Sequence, residues 1–197
     1  LVISEENKEK GYAFFGLDPE KNTILMVGGS LGARTLNESI IKSLPLLAEK
    51  SDVQVIWQCG KYYYTEMLQL QAEGKIPENV KLLDFVTRME YAYSVADLVI
   101  SRAGAGSISE FSLLQKAVIL VPSPNVAEDH QTKNAQALVE KDAAVMVSDK
   151  LASDVLFDVA LALVRNDEQR QQLSENIGKL AQHDSAERIV DELEKLI

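Results

Sequence analysis

Four short stretches of this chain combine residue types that can do chemistry, and each falls where an apolar run gives way to a helical pattern. Gly28-Gly29-Ser30-Leu31-Gly32-Ala33 follows the run Ile24 to Val27. Glycines there permit a tight turn and a close backbone approach, and the free N–H groups of a helix start attract an anion. The stretch reads as a phosphate cradle or as a bare strand-to-helix turn. It is not the dinucleotide fingerprint G-x-G-x-x-G, because the glycine spacing is wrong and no acid closes the second strand. Ser101-Arg102-Ala103-Gly104-Ala105-Gly106-Ser107-Ile108-Ser109-Glu110 repeats the arrangement, with small residues leaving space for a bulky ligand. Its Glu110 has two readings. A carboxylate repels a phosphate but suits the paired hydroxyls of a ribose, which donate to it. Alternatively, Ser107-x-x-Glu110 is a capping box, in which the carboxylate bonds back to the Ser107 N–H.

The third stretch runs from Pro122 to Gln131 and into the next helix. Two prolines stiffen its entry, and Glu128 and Asp129 suit a helix N-terminus. Gln131 and Asn134 lie one turn apart and can both donate and accept, as sugar hydroxyls require. His130 is a base or simply a solvated side chain. The fourth, Phe85-Val86-Thr87-Arg88-Met89, reads as core packing or as a backbone edge able to pair with a nucleobase.

The elements that must position these loops alternate with one period. Short apolar runs at 23–27, 53–58, 80–86, 98–101, 118–121 and 143–147 are expected strands of a sheet buried on both faces. Helical patterns fill 34–48, 62–73, 89–95, 107–114 and 129–140, after an opening helix capped by Ser4 and reaching about Leu17. The result is an α/β, Rossmann-like parallel sheet of about six strands with helices on both faces. The expected layout is a lead-in over 1–22, an α/β core over 23–150 and a helical tail over 151–197, with amphipathic segments at 152–165, 168–182 and 186–196. In such sheets ligands bind outside the carboxyl ends of the strands, where all four stretches fall.

Composition narrows the partners. A net charge of −10 over 197 residues argues against a nucleic-acid platform, so an anionic ligand must be held by local features. Cys59 is the only cysteine, which excludes an internal disulfide and fits a reducing compartment. With two histidines besides, a structural zinc site is not expected. The longest apolar stretch, 117–122, is far too short to span a bilayer. Leu1-Val2-Ile3 runs directly into Ser4-Glu5-Glu6-Asn7, unlike a signal peptide, and the missing initiator methionine suggests a fragment of something longer.

Together the loops resemble the C-terminal half of the MurG family of peptidoglycan N-acetylglucosaminyltransferases. The resemblance covers about 23–147 and rests on Gly28 to Ala33, on Ala96-Asp97-Leu98-Val99-Ile100-Ser101-Arg102-Ala103-Gly104-Ala105 and on Asp129-His130-Gln131-Thr132-Lys133-Asn134-Ala135. It implies one half of a B-type glycosyltransferase, two Rossmann-like domains with the active site between them, this chain matching the donor domain. By the family pattern, backbone around Val86 would read uracil with Met89 packed nearby. Gly29, Ser30 and the Ala105-Gly106-Ser107 backbone would hold the diphosphate, and Glu110 the ribose diol. Gln131, with Asn134 beside it, would meet the N-acetylglucosamine hydroxyls.

The implied reaction is an inverting transfer from UDP-N-acetylglucosamine to undecaprenyl-linked muramyl-pentapeptide, with no metal or cofactor in this domain. The catalytic residues, acceptor loops and membrane-contacting patch would lie in an N-terminal domain outside this chain, on the cytoplasmic side of the bacterial inner membrane. An arginine over the uracil would precede Leu1, and the chain alone should not catalyse. Leu31 stands where many relatives carry Gln, and Gln115-Lys116-Ala117 replaces a usual Gly-Lys-Pro turn. The alternatives are the donor domain of another B-fold UDP-sugar transferase, differing mainly in its acceptor half, or a non-catalytic nucleotide-sugar binding module. A nicotinamide oxidoreductase is disfavoured by the missing fingerprint and acid.

Overall fold

The computed structural model describes residues 2–124 and 129–181. Six parallel strands, β1 (Asn22–Val27), β2 (Val53–Gln58), β3 (Val80–Leu83), β4 (Leu98–Ser101), β5 (Val118–Leu120) and β6 (Val145–Met146), lie in the order β3-β2-β1-β4-β5-β6. Helix α1 (Glu5–Phe15) precedes β1, helices α2 (Arg34–Ala48), α3 (Tyr64–Ala72), α4 (Met89–Val95), α5 (Ala105–Leu113) and α6 (His130–Val139) connect the strands, and α7 (Asp149–Val164) and α8 (Asp167–Gly178) form the tail.

The continuous apolar runs have a simple cause. Side chains alternate across a pleated strand, and here each side meets a layer of helices. Ile24 and Met26 of β1, with Leu98 and Ile100 of β4, join α2 and α7 through Leu36, Ile40, Leu156 and Phe157. Leu25 and Val99 point the other way, into Phe15, Val95, Phe111, Leu138 and Ile177. With no solvent face, the buried polar residues of β1 and β2 lie near strand ends and are hydrogen-bonded, as Gln54 is to Thr23 at 2.9 Å. Burying each apolar side chain contributes roughly 1.5–3 kcal/mol.

Strand order reverses at β1, which pairs with β2 on one side and with β4 on the other. The register sets Val27 opposite Ser101, so both strands release their chains at the same level. The loops 28–33 and 102–104 therefore leave one seam side by side.

Several expected boundaries move. β3 ends at Leu83 rather than at residue 86, because its partner β2 ends at Gln58 and the next backbone acceptor, Asp84, is taken by the Gln58 side-chain amide at 3.1 Å. β6 shrinks to two residues because β5 offers only Ile119 and Leu120 as partners. The Ser4 cap is present, its hydroxyl accepting the Asn7 N–H at 3.1 Å, and Gly16 ends α1 in the left-handed region with φ 63°. The helix expected over 186–196 lies outside the described residues.

The Gln115-Lys116-Ala117 turn enters β5, at the end of the sheet opposite the seam. Gln115 adopts φ 50°, and its side chain lies over Gly178 of α8, where an added Cβ would come within 2.8 Å of Gln115 Cγ. Lys116 is half-buried, and its ammonium donates to the Ala96 carbonyl at 2.9 Å. Loss of hydration lowers its pKa from 10.5 to about 8, against an opposing pull from the Asp97 carboxylate. The folded chain therefore releases this proton before the unfolded chain does. Between those pH values the unfolded state binds more protons, so this group's contribution to stability rises with pH. Denaturant unfolding should show wild type gaining on Lys116→Met between pH 7 and pH 10. Parallel pH profiles for the two proteins would refute the assignment.

Candidate functional site

The two glycine loops meet at the β1–β4 seam. In the first, Gly29 and Gly32 have φ of 84° and 89°, and the Gly32 N–H closes a turn on the Gly29 carbonyl at 2.9 Å. The two glycines are needed for different reasons. A Cβ on Gly32 would sit 2.1 Å from the Cys59 carbonyl oxygen, so this glycine admits the neighbouring loop, whereas a Cβ on Gly29 would meet nothing within 4 Å among the described residues. Gly29 and Ser30 thus present backbone to open space. Leu31, beside them, is 72% exposed.

The second loop ends in the N-terminus of α5, which starts at Ala105 with extended Gly104 as its N-cap and no side-chain cap. The first-turn N–H groups, Ala105 to Ser107, face outward, and orphan donors of this kind with the helix dipole behind them favour an anion. This start overturns the capping-box reading of Glu110. Ser107 is already the third helical residue and Glu110 the sixth, a full turn too far along to cap. The exposed Glu110 carboxylate instead accepts the Tyr93 hydroxyl at 3.0 Å. Burial, followed by the nearby Glu110 charge, holds the Tyr93 phenol well above the ordinary tyrosine range, so it remains a donor.

α6 holds the second loop in place. Gln131 Oε1 accepts the Ala103 N–H at 3.3 Å and the Ser123 N–H at 2.9 Å, while Asn134 Nδ2 donates to the Ala103 carbonyl at 3.1 Å. Both polar ends of one buried residue are bracketed by the two side chains expected to contact sugar. Among the described residues, Gln131 Nε2 and Asn134 Oδ1 have no partner and remain for a ligand. Arg102 is likewise turned to structure: it donates to the Val121 carbonyl at 3.0 Å and pairs with Asp149 at 2.5 Å. Val86 is buried and lies in the loop beyond β3, with Met89 half-buried at the start of α4. His130 is exposed at the head of α6. Asn125 and Glu128 lie outside the described residues.

One organising residue escapes a reading of motifs. Gln58, 2% exposed at the end of β2, accepts the Gly28 N–H at 2.9 Å and donates to Gly29 at 2.7 Å and to Asp84 at 3.1 Å. One amide ties the phosphate-type loop to the loop carrying Val86. A polar residue closing the strand after the apolar run Val55-Ile56-Trp57 was the available signal. Cys59, next in the chain, is no nucleophile: burial pushes its thiol up to about 11. Among the described residues, no group of three or more His, Cys, Asp or Glu could hold a metal ion.

A doubly wound sheet with two anion-favouring loops at its switch point defines a nucleotide-binding α/β domain. Residues 23–189 match the Glycosyltransferase family 28 C-terminal domain, and the chain belongs to that family. It is 62% identical over 191 residues to the UDP-N-acetylglucosamine--N-acetylmuramyl-(pentapeptide) pyrophosphoryl-undecaprenol N-acetylglucosamine transferase of Parabacteroides distasonis, covering 96% of this chain and 51% of that protein. The protein of the same name from Bacteroides thetaiotaomicron is 55% identical over 197 residues, covering 98% and 53%. The crystal structure of Acinetobacter baumannii MurG superposes with a TM-score of 0.77 at 31% identity, over 94% of this chain and 53% of that one. The chain spans about half the length of the curated relatives it matches.

Gln58→Leu keeps the bulk of the side chain but orphans the Gly28 N–H and the Asp84 carbonyl, while the Gly29 carbonyl keeps the Gly32 N–H. Unsatisfied buried groups cost about 1–3 kcal/mol each, so the variant should lose at least about 2 kcal/mol in urea unfolding. An unchanged midpoint at equal slope would show that Gln58 does not hold these loops.

Proposed function

We propose that this chain is the donor-binding half of an inverting glycosyltransferase that moves N-acetylglucosamine from its UDP carrier to undecaprenyl-linked muramyl-pentapeptide. The observation that carries the reading is the convergence at one seam of an uncapped helix N-terminus, a glycine loop open to solvent and an exposed carboxylate. The relatives' shared name supplies the sugar and the acceptor.

In this reading the diphosphate sits against the Ala105, Gly106 and Ser107 N–H groups and the Gly29-Ser30 backbone. The ribose diol donates to Glu110. The uracil edge meets the backbone at Val86 beside Met89, and the sugar hydroxyls meet the free ends of Gln131 and Asn134. As the sugar–oxygen bond breaks, negative charge gathers on the departing diphosphate. N–H dipoles already aimed there stabilise that charge without reorganising, which is where such donors lower a barrier. The general base, the acceptor contacts and the membrane contact at the cytoplasmic face belong to the relatives' remaining length. No helix among the described residues is long and apolar enough to cross a membrane.

Calorimetry with UDP tests the two anchors. A carboxylate accepting a diol makes charge-assisted bonds worth about 1.5–3 kcal/mol each. Glu110→Gln should therefore weaken binding roughly ten- to hundredfold at about 1.4 kcal/mol per factor of ten. Glu110→Asp, charged but short, should also bind poorly. Gly104→Val tests the phosphate side. Among the described residues, the only atom within reach of an added Cβ is Ser107 Oγ, at 4.0 Å, so the fold should persist while UDP binding fails. Full affinity in a folded Gly104→Val protein would remove that loop from the site.

A further inference from the structure

We infer that Tyr93 is a positioning residue for the ribose: its buried hydroxyl fixes the plane of the Glu110 carboxylate and leaves one oxygen facing a bound nucleoside diphosphate. The inference rests on the donor-site reading of Glu110 and adds a residue on a different helix.

Glu110 projects from the exposed second turn of α5 and, among the described residues, takes part in no ion pair and caps no helix. A glutamate in that setting samples many rotamers, and a ligand must stop that motion before it can use both oxygens. Here one oxygen is already held. Tyr93 is 3% exposed, and its ring stands edge-on to Phe111, the residue after Glu110, with centroids 6.1 Å apart and an interplanar angle of 82°. A phenol fixed by packing therefore donates to Oε2 at 3.0 Å. Oε1 is left for a hydroxyl, and a second lone pair on Oε2 remains for its vicinal neighbour.

The placement of Tyr93 on α4 adds a second argument. Met89 and Tyr93 are four residues apart and share one face of that helix. A single seven-residue helix thus carries both the side chain proposed beside the base and the donor that sets the ribose acceptor. Base and ribose recognition are held in mutual register by one rigid element.

The test compares UDP with 2′,3′-dideoxy-UDP, which lacks the diol, on wild type, Tyr93→Phe, Glu110→Gln and the double variant of the full chain. Phenylalanine keeps the ring and its contact with Phe111. Tyr93→Phe should weaken UDP binding roughly three- to tenfold, a partial loss of hydrogen-bond free energy, and leave dideoxy-UDP binding unchanged. In the Glu110→Gln background it should have no further effect. The ratio of the two affinities is independent of how much protein is folded, so a destabilised variant still reports. Equal losses for both ligands, or a Tyr93→Phe effect that persists without the carboxylate, would overturn the positioning role. So would unchanged UDP binding in Tyr93→Phe while Glu110→Gln loses affinity. A Glu110→Gln protein with unaltered preference for UDP over its dideoxy analogue would instead refute the donor-site reading itself.

Discussion

The pairing of β1 with β4 is the constraint on which the rest of this domain depends. It joins two strands far apart in sequence and reverses the direction in which the sheet grows. It also brings two strand ends to one level, with Val27 opposite Ser101. Burial of both faces leaves those strands few polar side chains, Thr23 and Ser101 being the buried ones. The polar chemistry is therefore pushed to the loops just past the strand ends, and the seam decides which loops become neighbours. Both helices leaving that seam, α2 and α5, start without a side-chain cap, and α5 does so from a loop of small residues.

Loops of small residues do not hold a shape by themselves, and here long-range amides supply the rigidity. Gln58 ties the glycine loop to the loop after β3. Gln131 and Asn134 bracket the peptide groups of Ala103, and Arg102 joins the strand-end carbonyls of β5 to α7. Apart from the Arg102–Asp149 ion pair, each bond satisfies a backbone group outside the strand ladders. The backbone around a bound ligand is thereby set before the ligand arrives, which lowers the ordering cost of binding.

This division explains what could be read from the residues alone. Strand and helix order was legible because burial on both faces leaves a signature in each run, and the glycine stretches were legible because backbone geometry restricts residue type locally. The failures were all non-local. The strand through 84–86 looked continuous because Phe85 and Val86 suit one, but the partner strand had already ended. The Ser107-x-x-Glu110 pattern was a valid cap by spacing alone. It lost because extended Gly104 starts the helix earlier and Tyr93, on another helix, takes the carboxylate. Nothing local in Tyr93 announces its role, and Gln58 offers only its polarity at a strand end; both acquire meaning from what the fold sets opposite them. Gln131 and Asn134 were noticed for their capacity to donate and accept, and the structure spends half of that capacity on the protein itself.

The strand order also bears on how the domain comes into being. The first three strands pair with neighbours in sequence, so that half of the sheet can assemble from fairly local contacts. The seam cannot. Contacts across it span long separations, as in the Thr23 N–H that donates to the Asp97 carboxylate 74 residues away at 2.7 Å. Closing a loop of that length costs entropy before any contact compensates for it, which makes such pairing slow. A folding intermediate holding only β1, β2 and β3 would carry the glycine loop and no partner for it. Ligand affinity would then appear only when the seam closes, and a bound ligand would stabilise the joined sheet by mass action.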